Sequence, residues 1–318
     1  MPLPHSLARR LKLPAIAAPM FLTSGPDLVA EVCRSGLLGT FPALNQRSTA
    51  GLVDWLEEIE RRLAEAPGAA PYGVNLIVHR SNPRLAADLQ AVVRHKVPLV
   101  ITSLGAVRDV VEAVHSYGGL VFHDIISRRH AEKAAQAGVD GIVAVAAGAG
   151  GHAGAVSPFA LVGEIREVFE GTIILAGAIS TGAQIAAARM MGADLAYLGT
   201  RFIATREAMA PPAFKAMIVE TRAADIVYTP AVSGINANFL RPSIVASGRD
   251  PDNLAPGGAL DLASERKAWR DVWSAGQGVG AIRDEPPAAV LCARLAEEYR
   301  AAMRAAAADP FAQAEVAG

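Results

Sequence analysis

The chain predicts an α/β fold, a (β/α)8 TIM-type barrel with a smaller, mostly helical cap, and three observations predict it. Short apolar β-type runs bounded by Gly, Pro or Asp recur at intervals of roughly 20 to 35 residues, the span of one strand–helix unit. Helical patterns fill the intervals. Hydrophobic residues make up 52% of the 318 and charged residues only 19%, which suits buried parallel strands wrapped in alanine-rich helices and allows a large core.

Strands are predicted, in order, at Ala15–Ala18, Leu37–Thr40, Tyr72–Leu76, Pro98–Thr102, Gly119–His123, Gly141–Val145, Thr172–Ala176 and Leu195–Leu198. Between them lie helical patterns at Asp27–Ser35, Thr49–Ala66, Arg84–His95, Ala106–Tyr117, Arg129–Ala137, Pro158–Phe169 and Ala183–Met191. Ser35-Gly36, Ala137-Gly138 and Met191-Gly192 place a glycine where a left-handed residue ends a helix and sends the chain into the next strand. An open doubly wound sheet is the alternative, but its Gly-x-Gly-x-x-Gly belongs after the first strand. Here Pro19-Met20-Phe21-Leu22 stands there. After Leu198 prolines and glycines break the rhythm, with helical pieces at Ala213–Arg222 and Ser264–Val272 and a last helix at Pro286–Ala308. The expected organisation is therefore a barrel over 1–207, a cap over 208–285 and a C-terminal segment, 286–318, returning to the barrel.

Charge and cysteine usage narrow the class. The formal net charge is -1 and no basic cluster alternates with aromatics, which argues against a nucleic-acid partner. Cys33 and Cys292 lie in helix-like segments without ligand spacing and read as buried small hydrophobes. Arg9, Arg10 and Lys12 precede the apolar Ala15–Leu22 and loosely mimic a signal peptide, but the run is short and broken by Pro19, so it reads as a strand. Nothing approaches a run of ~20 apolar residues, so the expectation is a soluble, cytoplasmic protein with no membrane partner. The seven histidines show no metal spacing, and no metal is expected.

In a barrel, function gathers at the C-terminal strand ends. That ring reads Pro19-Met20, Asn45, Asn75, Thr102-Ser103, His123-Asp124, Gly148–His152, Gly177-Ala178 and Gly199-Thr200. His152 stands out, set in Ala146-Ala147-Gly148-Ala149-Gly150-Gly151-His152-Ala153-Gly154, where small residues let a flat group come close. By itself a lone histidine in a glycine-rich turn is an ordinary surface residue; its address past the sixth strand gives it a functional reading. His123 ends a strand and is read either as part of the ring or as a structural hydrogen-bonding residue in the barrel wall. Gly177–Gly182 and Gly199-Thr200-Arg201 follow the seventh and eighth strands, where glycines and helix N-termini commonly hold phosphate. A flat cofactor with a phosphate tail and few charges suggests FMN, with Pro19, Met20, Asn75, Ser103, Ala149, Gly150, Gly151, Gly177, Ala178, Gly199 and Thr200 as its candidate binders and His152 as the candidate catalytic residue.

Ala18-Pro19-Met20, Gly150-Gly151-His152-Ala153-Gly154, Ala176-Gly177-Ala178-Ile179 and Gly199–Glu207 together resemble the nitronate monooxygenase family, formerly the 2-nitropropane dioxygenases, in the right order over most of the chain. The resemblance implies an FMN-containing barrel with a small lid and marks His152 as the active-site histidine. Pro19–Pro26, Gly39–Asn45 and Asn75–Pro83 look more like the family's second class, which includes FMN-dependent NADH:quinone reductases. The flavin-dependent enoyl-acyl-carrier-protein reductases share the architecture. Some relatives carry a lysine near the end of the fifth strand, where this chain has Phe122-His123-Asp124, and that lysine's role is not transferred to Asp124.

The leading expectation is oxidation of alkyl nitronates or nitroalkanes with O2 to carbonyl compounds and nitrite. His152, on a mobile loop of small residues, would take the α-proton, since an imidazole side chain titrates close to neutral pH. The alternatives are reduction of a quinone by NADH and flavin binding without turnover. A homodimer is left open.

Overall fold

In the computed structural model, which describes residues 3–105, 108–255 and 269–313, a short helix α1 (His5–Ala8) precedes strands β1 (Ala15–Ala17), β2 (Leu38–Pro42), β3 (Tyr72–Ile77), β4 (Leu99–Ser103), β5 (Leu120–Ile125) and β6 (Gly141–Val145). A two-residue strand, β7 (Gly151–His152), lies in the loop after β6, and β8 (Thr172–Ala176) and β9 (Leu195–Leu198) follow. All but β7 pair in parallel and close into an eight-stranded barrel, with β9 returning to β1. Each predicted strand is present, its ends shifted by at most two residues.

The outer layer comprises α2 (Pro26–Arg34), α3 (Thr49–Ala64), α4 (Leu85–Arg94), α5 (Arg108–His115), α6 (Arg128–Ala137), α7 (Pro158–Arg166) and α8 (Gly182–Met190). Local chemistry sets their ends. Ser127 accepts from His130 N at the start of α6, and Gly138, at φ 85°, ends that helix in the left-handed region. Beyond β9 come α9 (Thr200–Ile203), α10 (Pro212–Glu220), β10 (Ile226–Thr229), β11 (Ala237–Leu240), α11 (Arg241–Ala246) and α12 (Ala288–Ala307). Helix α12 packs between α8 and α2, so it takes the eighth position of the helical ring.

Period-two alternation divides each strand between two cores. Ile16, Leu38, Leu99, Ile101, Phe122, Val143, Ile174 and Leu195 fill the barrel interior, where Leu7 of α1 joins them. Val74, Val100, Val121, Ile142, Ile173 and Ala196 face the helices. Moving up the inner register towards the C-terminal mouth, the apolar plug gives way to Asn75, Ser103, Asp124 and Tyr197.

Among the described residues between 208 and 285, helices predominate as expected, with α10 on the predicted Ala213–Arg222, but strands that were not expected are present as well. Ile226–Thr229 and Ala237–Leu240 form an antiparallel hairpin whose second strand also pairs with β7, giving the sheet β10-β11-β7. Four-residue runs carry too little periodicity to be read as strands locally. The predicted helix Ser264–Val272 falls largely outside the described residues, which resume at Trp269. Cys33 and Cys292 are buried, and burial pushes both thiols up to about 12. Among the described residues, no helix is long and apolar enough to cross a membrane, and no cluster of His, Cys, Asp or Glu could hold a metal ion.

Candidate functional site

The loops at the C-terminal mouth enclose a cavity of about 810 Å³, within the range of small-molecule sites. The candidate catalytic residue His152 and all the candidate cofactor binders line it: Pro19, Met20, Asn75, Ser103, Ala149, Gly150, Gly151, Gly177, Ala178, Gly199 and Thr200. Asn45, also placed in the ring, acts one step behind. Its side chain accepts from Leu22 N (2.8 Å) and donates to Met20 O and Ser24 O (3.1 and 2.8 Å), clamping the loop that carries Pro19 and Met20.

His152 does not sit on a free loop. The chain leaves β6, turns through the small residues and closes back at its base, where Gly154 N donates to Val145 O (3.1 Å). Gly151 and His152 then pair with Asn238 and Ala237 of β11. Gly151 N donates to Ser274 Oγ (2.7 Å), and the buried Asn238 donates its side-chain N–H to Ala149 O (2.7 Å). The Trp269 ring meets the imidazole edge-on, centroids 5.4 Å apart. Backbone pairing on one side and an aromatic wall on the other fix where the imidazole stands. Asn238→Ala removes the donor to Ala149 O and is expected to cost about 1–3 kcal/mol, measurable as a lower urea midpoint at unchanged slope.

The small residues of this run serve the protein as well as any ligand. A Cβ on Gly150 would stand 2.9 Å from Gly276 N and 3.2 Å from Thr200 Oγ1; one on Gly276 would stand 2.5 Å from Gly148 O and 2.7 Å from Gly150 N. Gly148 O accepts from Gln277 N (2.9 Å) and Ala178 N (3.3 Å), and Thr200 Oγ1 accepts from Gly276 N (2.8 Å). Three loops, after β6, β8 and β9, are thus stitched to the 3-10 turn Gln277–Ala281.

One expectation needs correcting. The N-terminus of α8 is not open to an anion: Thr181 Oγ1 accepts from Gln184 N, Gln184 Oε1 accepts from Ser180 N and Thr181 N, and Glu298 of α12 accepts from Gly182 N at 2.7 Å. A capping box and a carboxylate already satisfy the donors and the helix field there. What this loop offers the cavity is the stretch Gly177–Ser180, with Ala178 held at a left-handed φ of 55° and the buried Ser180 Oγ without a hydrogen-bond partner.

The floor joins two of the candidate binders, Asn75 and Ser103, to Asp124 and Tyr197, which the sequence reading left without a role. Asn75 donates to Ile101 O (3.2 Å) and to Ser103 Oγ (2.7 Å), and Ser103 in turn donates to Asp124 Oδ2 (2.6 Å). Asp124 lies inside β5 rather than in the following loop, two residues above Phe122 on the inner face. Burial raises its carboxyl to about 6, opposed by the Ser103 hydrogen bond and by His152. Tyr197, three strands around the barrel, has a buried phenol oxygen without a partner, kept protonated by burial and by the Asp124 charge. Its alternation with Leu195 on the inner face was legible in the sequence. His123 also borders the cavity, while its Nδ1 meets Thr102 Oγ1 at 2.8 Å and burial lowers the imidazole to about 4, so it joins the ring and makes a structural hydrogen bond. Trp269, Ser274, Gly276 and Gly278 also line the cavity, and no local signal marks them. Ile235 and Asn236 reach it, whereas Asn238, Phe239 and Leu240 are buried behind it.

Comparison with known proteins bears on the family and the fold. The chain is 29% identical to a nitronate monooxygenase of Paraburkholderia phytofirmans over 90% of its own length and 92% of that protein. It is 35% identical to a putative monooxygenase of Mycobacterium tuberculosis, Rv1533, but over 51% of this chain and 44% of the relative, so the match spans less than half of that protein. Among solved structures, the nitroalkane oxidase of Streptomyces ansochromogenes superposes with a TM-score of 0.82 at 26% identity, covering 95% of this chain and 99% of the other. The sequence profile described as Nitronate monooxygenase matches residues 6–298, and the chain belongs to that family of oxidoreductases.

Proposed function

We propose that this protein binds FMN in the cavity at the barrel mouth and oxidises alkyl nitronates and nitroalkanes with O2 to carbonyl compounds and nitrite. The observation that carries the reading is the convergence of His152, held by β11 and Trp269, with the two glycine loops after β8 and β9 on one cavity.

The residues present fit the cofactor. A Cβ on Gly199 would find nothing nearer than 3.7 Å, so the protein's own packing does not demand that glycine, and the space it leaves belongs to the cavity. The Ser180 and Tyr197 hydroxyls are buried polar groups awaiting a partner. Gly177–Ser180 and Gly199-Thr200 would hold the phosphate, and Pro19, Met20, Asn75, Ser103 and Ala149–Gly151 the ring. FMN, when bound, supplies the electron acceptor and its reoxidation by oxygen. His152 takes the α-proton of a neutral nitroalkane or donates a hydrogen bond to the nitronate. The described residues of the expected cap, 208–255 and 269–285, act as a lid that keeps water from the reacting carbon.

The test begins with the purified protein's visible absorbance, where flavin bands are expected; their absence, with no FMN taken up on addition, would end the reading. Anaerobic mixing then assigns the donor. Bleaching by ethyl nitronate but not by NADH supports the oxidase chemistry, rapid bleaching by NADH makes the protein a quinone-type reductase, and bleaching by neither makes it a flavin binder without turnover.

A further inference from the structure

His152 lies in a strand too short to fix its own place. Strand β7 has two residues, Gly151 and His152, and glycines at 150, 151 and 154 leave the backbone around it supple, with Gly151 at a left-handed φ of 72°. Pairing this short specifies register weakly, and a slip of one residue along β11 would carry the imidazole to the opposite face of the sheet. The sheet supplies what the pairing lacks. Tyr228 of β10 stands opposite Asn238 of β11, and directly opposed residues share a face. From that face both side chains reach the histidine loop: Asn238 donates to Ala149 O (2.7 Å) and Tyr228 Oη donates to Ala153 O (2.9 Å). Ala153 N donates in turn to Asn236 O (3.2 Å), so both backbone polar groups of the residue after His152 are held by the hairpin. His152 itself pairs with Ala237, one position along β11, and strand alternation gives that position the other face, where Ala237 and Phe239 pack with Trp269.

We propose that Tyr228 is a positioning residue for His152: its hydrogen bond to Ala153 O locks the register of β7 on β11, and with it the placement of the imidazole for proton transfer. This rests on the reading above that His152 is the base. Tyr228 lies outside the cavity lining and is 41% exposed, so its hydroxyl bears on the chemistry only through Ala153. Asn238 anchors the loop three residues before His152 and Tyr228 one residue after it, which makes Tyr228 the nearer of the two holds. A base displaced by a fraction of an ångström loses rate without any loss of fold.

Tyr228→Phe deletes the hydroxyl and keeps the ring and the β10 pairing. Hydrogen–deuterium exchange of the purified protein reads the hold without reference to activity: a peptide spanning 147–156 is expected to exchange about two- to tenfold faster in the variant, with barrel-strand peptides unchanged and the thermal midpoint within about 2 °C of wild type. In kinetics, kcat/KM for nitroethane is expected to fall about two- to tenfold. The primary isotope effect on nitroethane deuterated at the α-carbon should rise, because a displaced base slows the proton transfer, and turnover of preformed ethyl nitronate should change far less. In the His152→Ala background the same substitution should cost nothing further, since the group it positions is gone. Unchanged exchange over 147–156, faster exchange across all peptides with a larger fall in midpoint, equal losses on both substrates, or the same loss again on top of His152→Ala overturns the proposal. A wild-type protein that takes up no FMN, or oxidises neither substrate, overturns the function proposed above instead, and the exchange measurement then decides the Tyr228 hold by itself.

Discussion

Replacing His152 by alanine is expected to lower kcat/KM for neutral nitroethane by about 10²–10⁴-fold, the usual contribution of a general base, while costing far less with preformed ethyl nitronate. The asymmetry follows from the roles assigned: the neutral substrate needs its α-proton removed, whereas the nitronate has already lost it. The change is a clean probe because His152 enters β7 through its backbone, which alanine retains, and its partner Ala237 lies on β11 regardless of the side chain. What alanine removes is the imidazole and its contact with Trp269, at 5.4 Å between centroids. His152→Asn keeps a hydrogen-bond donor without a base near neutrality, so it should recover nitronate turnover more than nitroethane turnover. Stopped-flow reduction under anaerobic conditions separates the two substrates, and equal losses on both remove the base assignment.

The second large effect is on architecture. Gly276→Ala places a Cβ 2.5 Å from Gly148 O and 2.7 Å from Gly150 N. Both are backbone atoms, so no side chain can swing aside. Relief requires separating the histidine loop from the 275–278 segment, at the expense of Gln277 N to Gly148 O and Gly276 N to Thr200 Oγ1. The expected loss is about 1–3 kcal/mol, accompanied by weaker FMN uptake, because the loops after β6 and β9 lose their common anchor. Gly163→Ala is the control. It lies on the exposed side of α7, where a Cβ meets nothing within 4 Å, and is expected to stabilise by about 0.4–1 kcal/mol. Thermal unfolding of the two variants side by side tests the pair, and a Gly276→Ala protein as stable as wild type would show that the loop contact carries no strain.

His152 illustrates how far local reasoning reached. Its position past β6, the small residues around it and the glycine loops after β8 and β9 were legible because turn chemistry and strand–helix rhythm depend on neighbours along the chain. The α8 N-terminus shows where that reasoning misled. Gly177–Gly182 followed by a helix is locally a phosphate site, but Glu298, 116 residues further on, occupies the helix end. Asp124 falls just past the predicted strand because the apolar run ends at His123, yet β5 continues to Ile125.

By itself, then, the sequence determined the order and number of barrel strands, the family motifs and the ring of residues at their C-terminal ends, all of which follow from period-two alternation, helix caps and turn glycines. Only the tertiary structure decided how that ring is used. Barrel closure brings Asn75, Ser103 and Asp124 from three adjacent strands into one hydrogen-bonded line and sets Tyr197 on the same floor. Packing of β11 and of residues 274–278 turns a loop histidine into a strand residue and seals the glycines against each other. These are contacts between residues far apart in the chain, and their geometry exists only once the loop-closure entropy has been overcome by the whole core.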